Sequence, residues 1–335
     1  MEKSGKPDIF FIKENYMKKQ IIAAAVAASV SAVALADISI TGAAQVNYTN
    51  KETVGVASDE NKFTHESSLK ITGKKGDTTF VMGFGGGALD NTAATVDTTA
   101  HGTFNAEDVY MQTSVNGISV KAGQWDNGNN ELRASARKNG QLKLGTKVGD
   151  VNLGMLTSSA GASAEEFTVG TSLGGVAVSF TKKAAGETIK ASGSVGGINI
   201  KYLGLPSDSA NADSDYIELS TKVGDVAVKV GQANAESSAN LRGDSWLGDF
   251  EETDPVLSNG QDVTGIELKT AMAGNTLTYR NITVDDVASN DMDINKFIVT
   301  RPLASGATME ATYTSTDDDN AANTDVFDVE LRVAF

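Results

Sequence analysis

The last nine residues, Phe327 to Phe335 (FDVELRVAF), alternate strictly. Phe327, Val329, Leu331, Val333 and Phe335 fall on one face of an extended strand, and Asp328, Glu330 and Arg332 fall on the other. Successive strand side chains point to opposite faces, so the segment carries one apolar surface and one charged surface. It needs an apolar environment on one side and water on the other. Few folds meet that demand: a half-buried sheet in a soluble protein, or a wall between lipid and an aqueous lumen.

The pattern recurs along the chain, in pairs. Asp108–Val115 and Ile118–Trp125 flank Asn116-Gly117, and Gln141–Val148 and Val151–Thr157 flank Gly149-Asp150. Tyr216–Val223 and Val226–Gln232 flank Gly224-Asp225 in the same way. Such two-residue turns are hairpin signals. TKVGDV occurs at Thr146–Val151 and again at Thr221–Val226, a repeat of one building block. A first strand at Ile38–Tyr48, eight hairpins and the last strand make eighteen; merging the hairpin around Glu187 makes sixteen. The opposite connections are long and polar, among them Thr49–Lys62, Asp126–Gly140 and Ala233–Gln261. Tight turns at one end and long loops at the other predict an all-β fold: a transmembrane antiparallel up-and-down β-barrel of sixteen to eighteen strands, with short periplasmic turns and long external loops. Closure removes the sheet edges that would otherwise aggregate.

The start of the chain fits an exported protein. Lys18-Lys19 is followed by an uncharged run, Ile21–Leu35, and by the small residues Ala34 and Ala36. That is a secretory signal peptide cleaved after Ala36. Residues 1–16 read as an upstream extension, 17–36 as the signal and 37–335 as the barrel. Cysteine is absent, so stability must come from the backbone ladder and from packing. The formal charge is −15. Acidity of this size argues against nucleic acid as a partner.

With these ends in place, the closing strand resembles that of Gram-negative outer-membrane β-barrels. The resemblance implies that Phe335, with Val329, Leu331 and Val333, is read by the barrel-assembly machinery. Ala106–Gly128 (AEDVYMQTSVNGISVKAGQWDNG) resembles the fourth and fifth strands of the proteobacterial general diffusion porins. The family usually has a basic residue after the glycine of that fifth strand, whereas Gln124 follows Gly123 here. The resemblance implies a water-filled outer-membrane channel for passive diffusion of small hydrophilic solutes and ions, surrounded by lipid. It also implies a homotrimer. Family members usually have sixteen strands.

By the same resemblance, Asp126–Gly140 is the loop that folds into the barrel. Asp126, Glu131, Arg133, Arg137 and Lys138 would place both signs of charge at the constriction, where charged side chains set ion preference. If the apolar face of each strand meets lipid, the lumen wall receives Lys121, Lys143, Lys201, Lys229, Arg280 and Arg332. It also receives Glu218, Glu267 and Glu310, with bases in excess. The surplus acid then sits in loops, at Asp249–Asp254, Asp285-Asp286 and Asp317–Asp319. Loop hydration explains these clusters; Ca²⁺ bound between loops is the sharper alternative, and no other cofactor is expected.

An enzyme is a poor rival, because His65 and His101 are the only histidines and no nucleophile elbow stands out. A barrel with an exported passenger would need a long segment ahead of Ile38. A secreted soluble β-rich surface protein, of adhesin or surface-layer type, remains the alternative.

Overall fold

The computed structural model describes residues 37–55, 60–87, 105–127, 132, 136–158, 165–183, 186–206, 213–235, 246–247, 261–286, 291–319 and 322–335. The expected signal peptide (17–36) and upstream extension (1–16) lie outside them. Eighteen strands follow one another: β1 (Asp37–Thr53), β2 (Glu60–Lys75), β3 (Thr78–Gly87), β4 (Asn105–Val115), β5 (Ile118–Asn127), β6 (Ala136–Val148), β7 (Val151–Ser158), β8 (Glu166–Leu173), β9 (Val176–Lys183), β10 (Gly186–Val195), β11 (Ile198–Leu205), β12 (Ser214–Val223), β13 (Val226–Ala235), β14 (Gln261–Met272), β15 (Asn275–Asp286), β16 (Met292–Pro302), β17 (Ala307–Asp318) and β18 (Thr324–Ala334). Each pairs antiparallel with its sequence neighbours, and β1 also pairs with β18. The sheet is therefore a closed ring with no free edge.

The tight turns are at the end the sequence assigns to them. Asn116 and Gly117 both take positive φ (51° and 78°), the conformation whose twist matches a hairpin. Ala273 adopts φ 51° beside Gly274, although a Cβ disfavours that region.

At the other end, the first expected connection is mostly strand. The segments YTNKET and ENKF carry no apolar alternation, so their sequence reads as loop. They extend the ladder through polar pairs instead: Tyr48 Oη donates to Asn61 Oδ1 at 2.7 Å, and Asn50 Nδ2 donates to the same oxygen at 2.9 Å. The expected loop Asp126–Gly140 is shortened for the same reason. Asp126 pairs with Arg137 and Trp125 with Lys138 in the β5–β6 ladder, which leaves residues 128–135 between the strands.

One face runs unbroken around the ring. Val46, Phe63, Met111, Phe167, Phe180, Ile217, Phe297 and Leu331 share it, and all are exposed. This is the outer face. Six adjacent strands carry an aromatic band there: Tyr279, Phe297, Tyr313, Phe327, Tyr48 and Phe63. Tyr279–Phe297 and Tyr48–Phe63 each have ring centroids 4.8 Å apart. The tyrosine hydroxyls donate to a polar residue one row nearer the long connections, Tyr279 to Asn295 at 2.9 Å and Tyr313 to Asp325 at 3.0 Å. Rings with a greasy body and a hydrogen-bonded tip suit a boundary between apolar and wet surroundings.

The terminal strand closes on this face. Gly42 and Phe335 exchange backbone hydrogen bonds at 2.7 and 2.9 Å. A Cβ on Gly42 would sit 2.6 Å from the Phe335 ring, so only glycine leaves the ring its place.

Candidate functional site: the barrel interior

The inner face has three regions, and register builds each of them. On β11 to β16 the inward residues form rows across the strands. The row one in from the strand ends at the long connections is apolar: Leu203, Tyr216, Ala233, Val263 and Val284 are successive partners. The next row is Lys201, Glu218, Gly231, Gly265, Ile282 and Ile294. Below it, Lys229 faces Glu267, Glu267 faces Arg280, and Arg280 faces Lys296.

The apolar row is not left to water. Leu132, from the β5–β6 connection, and Trp246 and Leu247, from the β13–β14 connection, join it in one buried cluster. Leu132 and Leu247 are fully buried. Two connections that begin on different sides of the ring thus meet the same stretch of inner wall.

The charged row below is tightly paired. Arg280 Nε donates to Glu267 Oε2 at 2.7 Å, and Lys229 Nζ lies 3.2 Å from Glu267 Oε1. Glu267 is nearly buried, so it needs both cations; an unpaired buried carboxylate costs several kcal/mol, on the order of 3–5.

The second region, β4 to β6, is basic. Lys121 Nζ stands 3.7 Å from the Tyr110 ring centroid and 4.4 Å from that of Trp125. Lys143 is its cross-strand neighbour. Next to it, a hollow of about 400 Å³ lies against β6 to β10, where Gly154, Gly170, Ser179 and Ser192 keep the wall thin and Lys143, Glu166 and Lys190 supply charge. Glu166 is held by Lys183 at 2.9 Å.

The third region, β17 to β2, is acidic. Glu310 and Glu330 are direct cross-strand neighbours, and Glu66 accepts from Gln45 Nε2 at 3.2 Å. Thr300 Oγ1 donates to Glu310 Oε2 at 2.9 Å. Arg332 faces Gln45. The interior thus has a basic arc, an acidic arc, and between them an arc covered by Leu132, Trp246 and Leu247.

The register places Lys121, Lys143, Lys201, Lys229, Arg280, Glu310 and Arg332 on the inner face. It places Val329, Leu331, Val333 and Phe335 on the outer face. Of the expected constriction residues, Asp126, Arg137 and Lys138 stand on strand backbone, and Glu131 and Arg133 lie outside the described residues. Asp249–Asp254 also lies outside them. Among the described residues no group of three or more His, Cys, Asp or Glu side chains could hold a metal ion. His65 is opposite Val46 on the outer face.

Sequence reasoning missed the covered arc. Its signals were local: Tyr202-Leu203-Gly204-Leu205 breaks alternation by being apolar on both faces, and Trp246-Leu247 is an apolar pair in an acidic connection.

No family model matches the chain, and no curated protein matches it. Solved structures do. The outer membrane protein OpdK of Pseudomonas aeruginosa aligns with 89% of this chain and 98% of its own, at 10% identity and a TM-score of 0.65. OccAB2 of Acinetobacter baumannii aligns over 89% and 98%, at 11% identity and a TM-score of 0.62. A mutant of the Rh. blastica porin aligns over 89% and 100%, at 16% identity and a TM-score of 0.55. The fold is that of the outer-membrane porins. The inner face of a closed barrel lines its lumen, and the three arcs on it are the candidate functional surface.

Proposed function

We propose that the chain is an outer-membrane channel for passive diffusion of small hydrophilic solutes and ions, exported by a signal peptide cleaved after Ala36 and assembled as a homotrimer. The supporting observation is a closed 18-stranded ring whose outer face is apolar and whose inner face carries the charge. A ring with no edge satisfies every ladder hydrogen bond internally, the condition a lipid environment imposes. The aromatic band with its hydroxyls turned toward the long connections supports a membrane boundary at that end; in this reading those connections are external and the tight turns periplasmic.

Transport here needs no chemistry. The interior supplies fixed charges rather than a nucleophile beside a base, and the protein is not an enzyme in this reading. Lys121 and Lys143 lie in one arc and Glu66, Glu310 and Glu330 in another, so a passing ion meets both signs. Bases outnumber acids on the inner wall, and the channel leans toward anions at moderate salt. Lowering the salt lets the acidic loops act at longer range and pulls the preference toward cations, since the Debye length grows from ~8 Å at physiological salt to ~30 Å at 0.01 M.

Planar bilayers test this. Purified, refolded protein should give stepwise conductance, with reversal potentials across a salt gradient that report a weak anion preference. A protein that binds vesicles without conducting would defeat the channel reading.

A further inference from the structure

Gly231 and Gly265 are direct partners on β13 and β14, and they make a recess in the inner wall. A Cβ on Gly231 would lie 2.8 Å from Trp246 Cζ2, and one on Gly265 would lie 2.6 Å from Leu247 Cδ2 and 3.1 Å from Trp246 Cζ3. The floor is backbone, and the indole meets it through Cζ2 and Cζ3. At one end of the recess the Trp246 indole N–H donates to Glu218 Oε2 at 2.9 Å and to Tyr216 Oη at 3.1 Å. Tyr216 Oη in turn donates to Glu218 Oε2 at 2.7 Å, which fixes the carboxylate while the phenol oxygen accepts from the indole. Lys229 Nζ stands 5.2 Å from the ring centroid, within cation–π range.

We propose that this recess is a binding site for the aromatic ring of a small solute bearing a ring N–H or O–H donor, occupied in this structure by the chain's own Trp246. The proposal rests on the channel reading, since the solute must enter the lumen. Three observations carry it. The floor of the recess is barrel backbone, at the paired glycines Gly231 and Gly265. Its partners are the complete set an indole needs: a backbone floor, two acceptors for one donor, and a cation over the face. Glu218 is only partly buried, so the acceptor end opens to the interior.

The carboxylate at the acceptor end selects against an anionic ligand and favours a neutral or cationic one, such as an amino-acid amide or a short peptide with a Trp or Tyr side chain. Trp246 is tethered, and a tethered group competes at an effective concentration in the millimolar range. A free solute therefore binds in competition and weakly, which suits a channel that must release what it binds.

The experiment uses the full-length barrel refolded in detergent, with N-acetyl-tryptophanamide as probe and N-acetyl-leucinamide as control. In equilibrium dialysis, Trp246→Ala should bind the tryptophan amide about tenfold more tightly than the wild type, because the internal competitor is gone. Adding Gly231→Val to Trp246→Ala should abolish that gain. In the wild type, millimolar N-acetyl-tyrosinamide should shift tryptophan emission to the red as Trp246 is displaced, with excitation at a wavelength tyrosine does not absorb. Trp246→Ala, which retains Trp125, should show no shift. The emission arm decides the question if the alanine variant fails to fold. Equal affinity of Trp246→Ala and wild type, equal binding of the leucine amide, or unshifted wild-type emission would each overturn the proposal. Bilayer conductance of the same preparations separates the two readings: conduction without aromatic binding removes the recess alone, and binding without conduction removes the channel.

Discussion

Glycine positions decide the finest contacts in this barrel, because a Cβ there would meet something that cannot move. Gly42 is the clearest. Its missing side chain leaves room for Phe335 on one side and for the Ser68 carbonyl, 2.7 Å from the virtual Cβ, on the other. The carbonyl belongs to the β1–β2 ladder and cannot shift without breaking it. Gly42→Ala should therefore cost about 1–3 kcal/mol through overpacking at the seam where the ring closes. The unfolding midpoint, read from heat-modifiable mobility on gels, should fall. An unchanged midpoint would mean that the seam has slack. The same reasoning with opposite sign applies at Ala273, which holds φ 51° in a turn with open space around its glycine neighbour. Ala273→Gly removes the strain of a Cβ in the left-handed region, and should raise stability by about 0.5–1 kcal/mol. Chemical denaturation of the two proteins in the same detergent would measure it.

Each strand is a filter between two media, and β18 shows how the filter can be tested. Leu331 and Arg332 are chain neighbours on opposite faces; Leu331 pairs with Val46 and Arg332 with Gln45. Leu331→Arg puts a charge on the outer face, where lipid charges ~2–4 kcal/mol for it near the midplane. Arg332→Glu exchanges one charge for another on the wet face, and should lower the folded fraction in vesicles far less than Leu331→Arg does. Equal loss from both would sink the inward and outward assignment. This two-sidedness is also why the strands were legible in the sequence: alternation is a local signal, and the Gly turns punctuate it. The polar strand ends were not legible, because Tyr48, Asn50 and Asn61 continue the ladder without any apolar period. The covered arc was not legible either. Leu132 and Trp246 are far apart in sequence and meet only because the ring brings β5–β6 and β13–β14 to one wall. Single-sequence periodicity carries no information about such a meeting.

At the scale of the whole ring, charge is segregated, and the sums hide it. The chain is acidic at −15, yet its inner wall leans basic, because register sends Lys121 and Lys143 inward side by side while many acids fall in connections. On the far arc Glu310 and Glu330 stand side by side as well. An ion passing along either arc meets fixed charge at close range, whereas acids on the outer loops more than a Debye length away, ~8 Å at physiological salt, are screened from it. The arcs should therefore control selectivity independently of net charge. Lys121→Glu with Lys143→Glu reverses the basic arc, and Glu310→Gln with Glu330→Gln neutralises the acidic one. All four side chains are at least partly exposed, so these changes should alter the field without disturbing the ring. The first pair should turn a weak anion preference into a cation preference, and the second should deepen the anion preference. Reversal potentials across a salt gradient at moderate ionic strength give the sign directly. If both pairs leave the reversal potential where it stands in the wild type, ions do not pass along these arcs, and the permeation path assigned to the inner wall is wrong.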